Sequence, residues 1–323
     1  MQCSIVIRTF NEARYLRFLL DGIQKQHIAA DIETIVVDSG STDGTVDIAT
    51  QYGAKVINIL PSEFSFGRSL NRGIQAASHE YILIASAHVF PVYPNWIERL
   101  VAPLGNPRTA LSYGKQRGTD SRFISAGIPN STKFSEREIF LRWFPETANH
   151  TQEQPFCNNA NAAIRRSLWL KQPYDETLTG LEDLAWAKWA LEQGYTLTYV
   201  PEAEVIHIHN ETPFGVRNRY KREAMAFKNI YPEAHFNIYD FLRMFLSNTA
   251  NDIGHATRQG ILLANIGSIL WFRFNQFWGT YLGYREAVVW NWQLRQTYYY
   301  PRGTTPESAT VHDVEPIRYD PQG

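Results

Sequence analysis

The stretch that decides the fold is Ser4–Gln26, "SIVIRTFNEARYLRFLLDGIQKQ". Its hydrophobic period changes part-way. Ser4–Arg8 is a short apolar run of strand length. Leu16, Leu19, Leu20 and Ile23 then recur at helical spacing over Glu12–Gln26. The segment therefore reads as a strand, a polar turn and a helix. Glu33–Val37, "ETIVV", is a second strand. "STDGT" follows it, with Ser41 or Thr42 placed to cap a helix through Tyr52. Lys55–Leu60 is a third strand, Phe66–Ala77 a helix and Tyr81–Ala85 a fourth strand. Strand and helix in turn predict an α/β fold, with a mostly parallel central sheet and helices on both faces. In such sheets ligands bind beyond the carboxyl ends of the strands, where strand order reverses. Polar residues at strand ends are therefore the candidates to weigh.

Composition narrows the class. The 323 residues are 44% hydrophobic, enough to bury a sizeable core, and the formal charge of −1 suggests no nucleic-acid partner. Cys3 and Cys157 form no disulfide framework, which suits a reducing compartment. The first strand begins almost at Met1, so no secretory leader is expected. The apolar run Ile261–Phe272 is too short to span a bilayer.

Further along, Arg117–Pro155 is punctuated by Gly, Ser, Asn, Thr and Pro and reads as a long loop region near a site. Regularity returns with a helix over Glu182–Gln193, strands over Thr196–Val200 and Ala203–His207, and a helix over Gly215–Lys228. The expected organisation is a catalytic α/β domain over 1–235, a helical C-terminal region over 236–300 and a loosely ordered tail over 301–323. The aromatic stripe Trp271–Tyr284 reads as core or dimer interface, with a peripheral membrane contact as the functional alternative.

Several polar groups could carry chemistry. Asp38 and Asp43 sit in "VVDSGSTDGT", where a carboxylate can meet a base imide or a ribose hydroxyl. No GxGxxG is present, so a dinucleotide fingerprint is not supported. In "FSFGRSLNRGIQAA", Gly67 permits a tight helix entry, Arg68 can neutralise phosphate and Asn71 lies one turn on. The fourth strand ends in Ser86-Ala87-His88, and imidazole binds Mn²⁺ or Zn²⁺ where hard Mg²⁺ prefers oxygen. His207 and His209 are expected on opposite strand faces, with His209, at the strand end, toward the site. Arg219 and Arg222 share a helix face and could hold a diphosphate. Glu182 and Asp183 open an amphipathic helix, whose positive end favours ionised carboxylates. Asn158, Asn159 and Asn161 suit sugar hydroxyls, and Gln116 at another strand end is a weaker candidate.

The order "SIVIRTFNEARYLRFLLDGIQKQ", "IVVDSGSTDGT" and a strand ending near residue 86 resembles family 2 glycosyltransferases of the GT-A fold, over roughly residues 3–230. The resemblance implies that Thr9, Asn11 and Glu12 border the nucleotide, together with Asp38 and Ser39. It places Gly67, Arg68 and Asn71 in the nucleotide frame. It also sets Ser86, Ala87 and His88 where the family carries Asp-x-Asp. The family's usual Pro after the first strand is Arg8 here, and no carboxylate occupies the metal-binding slot. By the same match Asp183 is the catalytic base of an inverting single displacement, Glu182 orients, and His88 with His209 holds a divalent metal. Metal dependence is expected to be weak or absent, or to favour Mn²⁺ over Mg²⁺. The expected activity is sugar transfer from a nucleotide-diphosphate donor to a saccharide or lipid-linked acceptor. Assembly of cell-surface polysaccharide at the cytoplasmic face of the membrane is the expected setting, with membrane contact or a homodimer formed through the C-terminal helices. The rival is a catalytically silent sugar-nucleotide-binding or scaffold protein: the loss of Asp-x-Asp favours it, and the Glu182-Asp183 pair opposes it.

Overall fold

The computed structural model describes residues 2–27, 31–119, 132–146, 155–209, 211–286 and 314–319. Strands β1 (Gln2–Thr9), β2 (Asp31–Asp38), β3 (Lys55–Asn58), β4 (Tyr81–Ser86), β5 (Val89–Pro91), β6 (Thr109–Arg117), β7 (Asn161–Arg165) and β8 (Thr196–His207) form one sheet in the order 3-2-1-4-7-6-8-5. β5 and β7 run against the rest. Successive side chains of a strand point to opposite faces, so a strand covered on both sides must be apolar at every position. β1 behaves this way. Val6 packs with Val37, Leu70 and Ile74 on one face, while Ile5 and Ile7 pack with Leu16, Leu19 and Ile23 on the other. This is why "SIVI" carries no alternation although it is a strand.

Parallel pairing sets the site. β1 registers Thr9 against Asp38 of β2, and Arg8 against Ser86 of β4. Three carboxyl ends thus lie level at the point where strand order reverses. Helices α1 (Ala13–Gln24), α2 (Thr45–Gln51) and α3 (Phe66–Gln75) connect this half of the sheet, and α4 (Trp96–Val101) lies between β5 and β6 in the other half.

Three expectations need correction. The region between Arg117 and Pro155 is not all loop: Phe134–Trp143 forms helix α5, and residues 120–131 and 147–154 lie outside the described residues. The two strands expected at Thr196–Val200 and Ala203–His207 are one, with a register shift against β6 between Gly114 and Gln116. The tail is docked where it is described. Tyr319 is buried and donates to the Pro91 carbonyl at 2.7 Å, and the Ile317 amide donates to Val92.

The C-terminal helices are continuous with the α/β core. α6 (Glu182–Glu192) and α7 (Pro213–Ile230) are followed by α8 (Ile238–Arg258) and α9 (Leu262–Arg285). α9 lies tightly on α7, because a Cβ at Gly279 or Gly283 would stand 2.3 Å from the Arg217 carbonyl oxygen or 2.4 Å from that of Lys221. A buried pair joins Arg273 of α9 to Asp252 of α8 at 2.7 Å, and the same guanidinium reaches the Ser135 carbonyl of α5. The aromatic stripe is largely spent between α8 and α9: Phe241 meets Phe274, Trp278 and Tyr281 edge-on or tilted. Residues 287–300 of the expected helical region lie outside the described residues. No helix among the described residues is long and apolar enough to cross a membrane.

Candidate active site

A cavity of about 1060 Å³ opens at the carboxyl ends of β1, β4 and β8. The loop from β1 into α1, helix α5, the start of α6, and helices α7 to α9 complete its wall. The C-terminal helices supply Met244, Phe277, Thr280 and Tyr284 to that wall, so they build the site as well as brace it.

Three histidines meet on one side. The ring centroids of His88 and His207 are 5.2 Å apart, those of His207 and His209 4.1 Å, and those of His88 and His209 5.9 Å. The expectation that His207 and His209 face apart is corrected: residues two apart along extended chain share a face. Pairing holds the arrangement, since β5 and β8 place Val89 opposite His207 and the Ile208 amide donates to the His88 carbonyl at 3.1 Å. Burial keeps the His207 and His209 imidazoles well below their ordinary pKa, aided at His209 by Arg219, so both are neutral at pH 7. One candidate ligand atom from each of the three residues lies within 4.8 Å of the others. Neutral imidazole nitrogens suit Mn²⁺ or Zn²⁺ and fit the oxygen-seeking Mg²⁺ poorly.

The acid pair lines the same cavity. Leu181 adopts φ 55°, a left-handed backbone that costs a non-glycine residue on the order of 1 kcal/mol. That turn delivers Glu182 and Asp183 to the start of α6. Asp183 accepts from the Asn159 amide at 3.1 Å and the Leu184 amide at 2.8 Å. Burial and the adjacent Glu182 charge nonetheless push its carboxyl up to about 7. Glu182 is buried and is met by Arg8 at 3.1 Å. Arg8 also lies over the Phe66 ring, 4.7 Å from its centroid, and Arg222 sits at the same distance from that ring.

Arg219 is held by Glu211 at 2.5 Å and Glu136 at 3.0 Å. The Glu136 oxygen that accepts from Arg219 also meets His209 Nδ1 at 2.7 Å. Burial raises Glu136 to about 7 against the pull of Arg219. One carboxylate thus connects the cationic and imidazole sides of the cavity.

The structure brings many expected residues together and sends others elsewhere. Thr9, Glu12, Ser39, Ser86, His88, Asn158, Asn159, Glu182, Asp183, His209, Arg219 and Arg222 line the cavity. Asn11 and Asp38 do not. Asn11 accepts from the Thr42 amide at 2.8 Å and latches two loops. Asp38 is buried and accepts from Thr9, Ser41 and the amides of Gly40 and Ser41, so it caps its own turn. Ala87 packs in the core beside Ala85 and Val89.

Gly67, Arg68 and Asn71 dock α3 onto the segment before α6. A Cβ at Gly67 would meet the Asp175 carbonyl oxygen at 2.3 Å, Arg68 pairs with Glu176 at 2.7 Å, and Asn71 bonds Tyr174, Glu176 and Trp169. Asn161 is fully buried and bonds Trp96, Lys115 and Ala203. Gln116 is buried behind the cavity, its Oε1 2.7 Å from His207 Nδ1. Cys157 lines the cavity, but burial raises its thiol well above the ordinary value, as suits a small apolar residue.

Arg8, Glu136 and Glu211 also line the cavity and were not expected there from the sequence. Arg8 had a signal: a charge at the end of a doubly buried strand needs a counter-charge. Glu136 and Glu211 had none, since their partners lie on other elements.

Comparison with known proteins agrees with this architecture. Residues 4–170 match the glycosyl transferase family 2 model. The O-antigen chain rhamnosyltransferase RfbN of Salmonella typhimurium is 27% identical over 223 residues, covering 68% of this chain and 70% of the relative. WbaN of Salmonella anatum, also an O-antigen chain rhamnosyltransferase, is 28% identical over 191 residues, or 58% of this chain and 60% of the relative. The mannosyltransferase PcManGT from Pyrobaculum calidifontis, solved with GDP-Man and Mn²⁺, superimposes with a TM-score of 0.55 at 18% identity, covering 91% of this chain and 85% of that one. That likeness shows the shared fold.

Proposed function

The chain belongs to glycosyl transferase family 2 and is a glycosyltransferase of GT-A fold, and from that premise we propose that it moves a sugar from a nucleotide-diphosphate donor to a hydroxyl of a saccharide or lipid-linked acceptor with inversion. One observation carries this reading: a carboxylate whose pKa is about 7 shares a cavity with an imidazole cluster and with the guanidinium groups of Arg219 and Arg222. A base near neutrality and a cationic cradle are what a displacement at an anomeric carbon needs.

In this reading the nucleotide lies along Thr9, Glu12, Ser39 and Ser86. Arg219 and Arg222 take the diphosphate. A divalent ion held by His88 and His209 would neutralise the charge that builds on that leaving group. Asn158 and Asn159 meet sugar hydroxyls. Asp183 takes the acceptor proton as the acceptor oxygen bonds to the anomeric carbon and the carbon–phosphate oxygen bond breaks. Glu182, held by Arg8, orients the pair and its charge raises the basicity of Asp183. The O-antigen rhamnosyltransferase relatives support a role in surface polysaccharide assembly. Tyr239, Leu242, Leu246 and Leu263 are exposed on α8 and α9 and support an acceptor presented at a membrane surface.

Calorimetry with UDP-, GDP- and dTDP-sugars identifies the donor, and turnover of that donor by wild type and Asp183→Asn tests the chemistry. NMR of the product reads the anomeric configuration. Wild-type turnover that collapses in Asp183→Asn supports the reading. Donor binding with no turnover indicates the silent binding protein, and a retained configuration overturns single displacement.

A further inference from the structure

We propose that His88, His207 and His209 together form a three-imidazole site that binds a Zn²⁺- or Co²⁺-like ion through their Nε2 atoms without any nucleotide. The proposal deepens the metal part of the function above. It adds His207 as a ligand and a selectivity, and it stands on this chain's side chains alone.

Each ring is oriented from behind by a separate oxygen. His88 Nδ1 lies 3.0 Å from Glu12 Oε1, His207 Nδ1 2.7 Å from Gln116 Oε1, and His209 Nδ1 2.7 Å from Glu136 Oε1. An oxygen acceptor at Nδ1 fixes the proton there and leaves the Nε2 lone pair facing away from it. Metal-binding histidines are commonly held in this way. Three rings in one cluster share the same arrangement, although they come from a β-turn and a strand end.

His207 supplies an independent sign. It is 4% exposed, and its Nε2 is buried with no hydrogen-bond partner among the described residues. A buried polar atom without a partner costs about 1–3 kcal/mol, and an ion in the cluster would satisfy it. Gln116, read from the sequence as a sugar ligand, gains a reason for its burial: it holds His207.

The donor set decides which ion fits. Three imidazoles with open positions form a nitrogen-rich site suited to Zn²⁺ and Co²⁺. Mg²⁺ requires near-octahedral oxygen ligation, and in this cluster the orienting carboxylates sit on the Nδ1 side. The open positions are the ones a donor diphosphate would take.

The test uses the untagged full chain, stripped with chelator and titrated with Co²⁺ in the absence of donor. One equivalent is expected to produce the intense visible bands of a four- or five-coordinate nitrogen site, and calorimetry should give one Zn²⁺ and no measurable Mg²⁺. His207→Ala is expected to weaken Co²⁺ binding by roughly 100-fold, and Gln116→Ala by roughly tenfold. His88→Ala, at a half-buried ring, provides a ligand deletion that spares the core, and it should weaken binding like His207→Ala. Circular dichroism checks that each variant is folded. Absent stoichiometric binding, a weak octahedral-type spectrum, or binding indifferent to His207→Ala in folded protein overturns the proposal. Because no donor is present, these outcomes are independent of transferase activity: a protein that transfers sugar yet binds no Co²⁺ refutes the metal site alone.

Discussion

The Arg8 guanidinium donates to the Glu182 carboxylate across 3.1 Å, tying the end of β1 to the helix that begins with the acid pair. Both side chains are largely shielded from solvent. Removing the cation would leave a buried charge unpaired, a change that costs about 3–5 kcal/mol. Arg8→Met is therefore expected to lower the free energy of unfolding by that order, read from urea denaturation curves at unchanged slope. Arg8 also helps hold the Asp183 pKa down, so the same variant should move the acid limb of the activity profile to higher pH.

Asp183 is expected to set the pH dependence of transfer. Its carboxyl is pushed up to about 7, and a general base works only when ionised, so kcat/KM should rise with pH through about 7 and fall away below it. Stability runs the other way. A carboxyl raised in the folded state favours its protonated form, so the fold loses stability as pH climbs from the ordinary carboxyl value of 3.8 toward 7. Asp183→Asn should therefore be nearly inactive yet melt higher than wild type at pH 8, with the advantage shrinking toward pH 4.

Gly279 is where α9 closes on α7. An alanine methyl there would meet the Arg217 carbonyl oxygen at 2.3 Å, and the carbonyl is backbone that cannot swing aside. Gly279→Ala is expected to destabilise by about 1–3 kcal/mol. Because α7 also carries Arg219 and Arg222, donor KM should rise even at temperatures where the variant is folded. Differential scanning calorimetry and donor titration measure the two effects.

Asn71 tests a reassignment. Its amide nitrogen donates to the Tyr174 carbonyl and Glu176, and its oxygen accepts from Trp169 and the Tyr174 amide. Asn71→Ala is expected to cost about 2 kcal/mol while donor affinity stays unchanged. Lost donor affinity at unchanged stability would return Asn71 to the nucleotide site.

The contrast between Ser86 and Asn161 explains how much of the site was legible. Ser86 closes β4 and Asn161 opens the antiparallel β7, so both polar residues stand at the same edge of the sheet. Ser86 lines the cavity, whereas Asn161 is spent on the core, bonding Trp96 Nε1 and two carbonyls. Their residue types do not differ in any way that predicts this. The same holds for Asp38, which caps its own turn, and for Arg68, which Glu176 claims from 108 residues away. A polar side chain is assigned by the partner it finds, and that partner is usually distant in sequence. His207 is a different case. Its place beside His209 follows from strand geometry, because residues two apart share a face.

The alternating α/β architecture, the polar strand ends and the Glu182-Asp183 pair opening a helix are legible in the sequence. Those features rest on local periodicity and turn chemistry, which neighbouring residues specify. That Arg8 serves Glu182, that Glu136 joins His209 to Arg219, and that the C-terminal helices wall the cavity emerges in the folded chain alone. Those are long-range pairings. Buried charges and imidazoles must be satisfied by whatever the packed chain brings within reach, and local sequence does not name it.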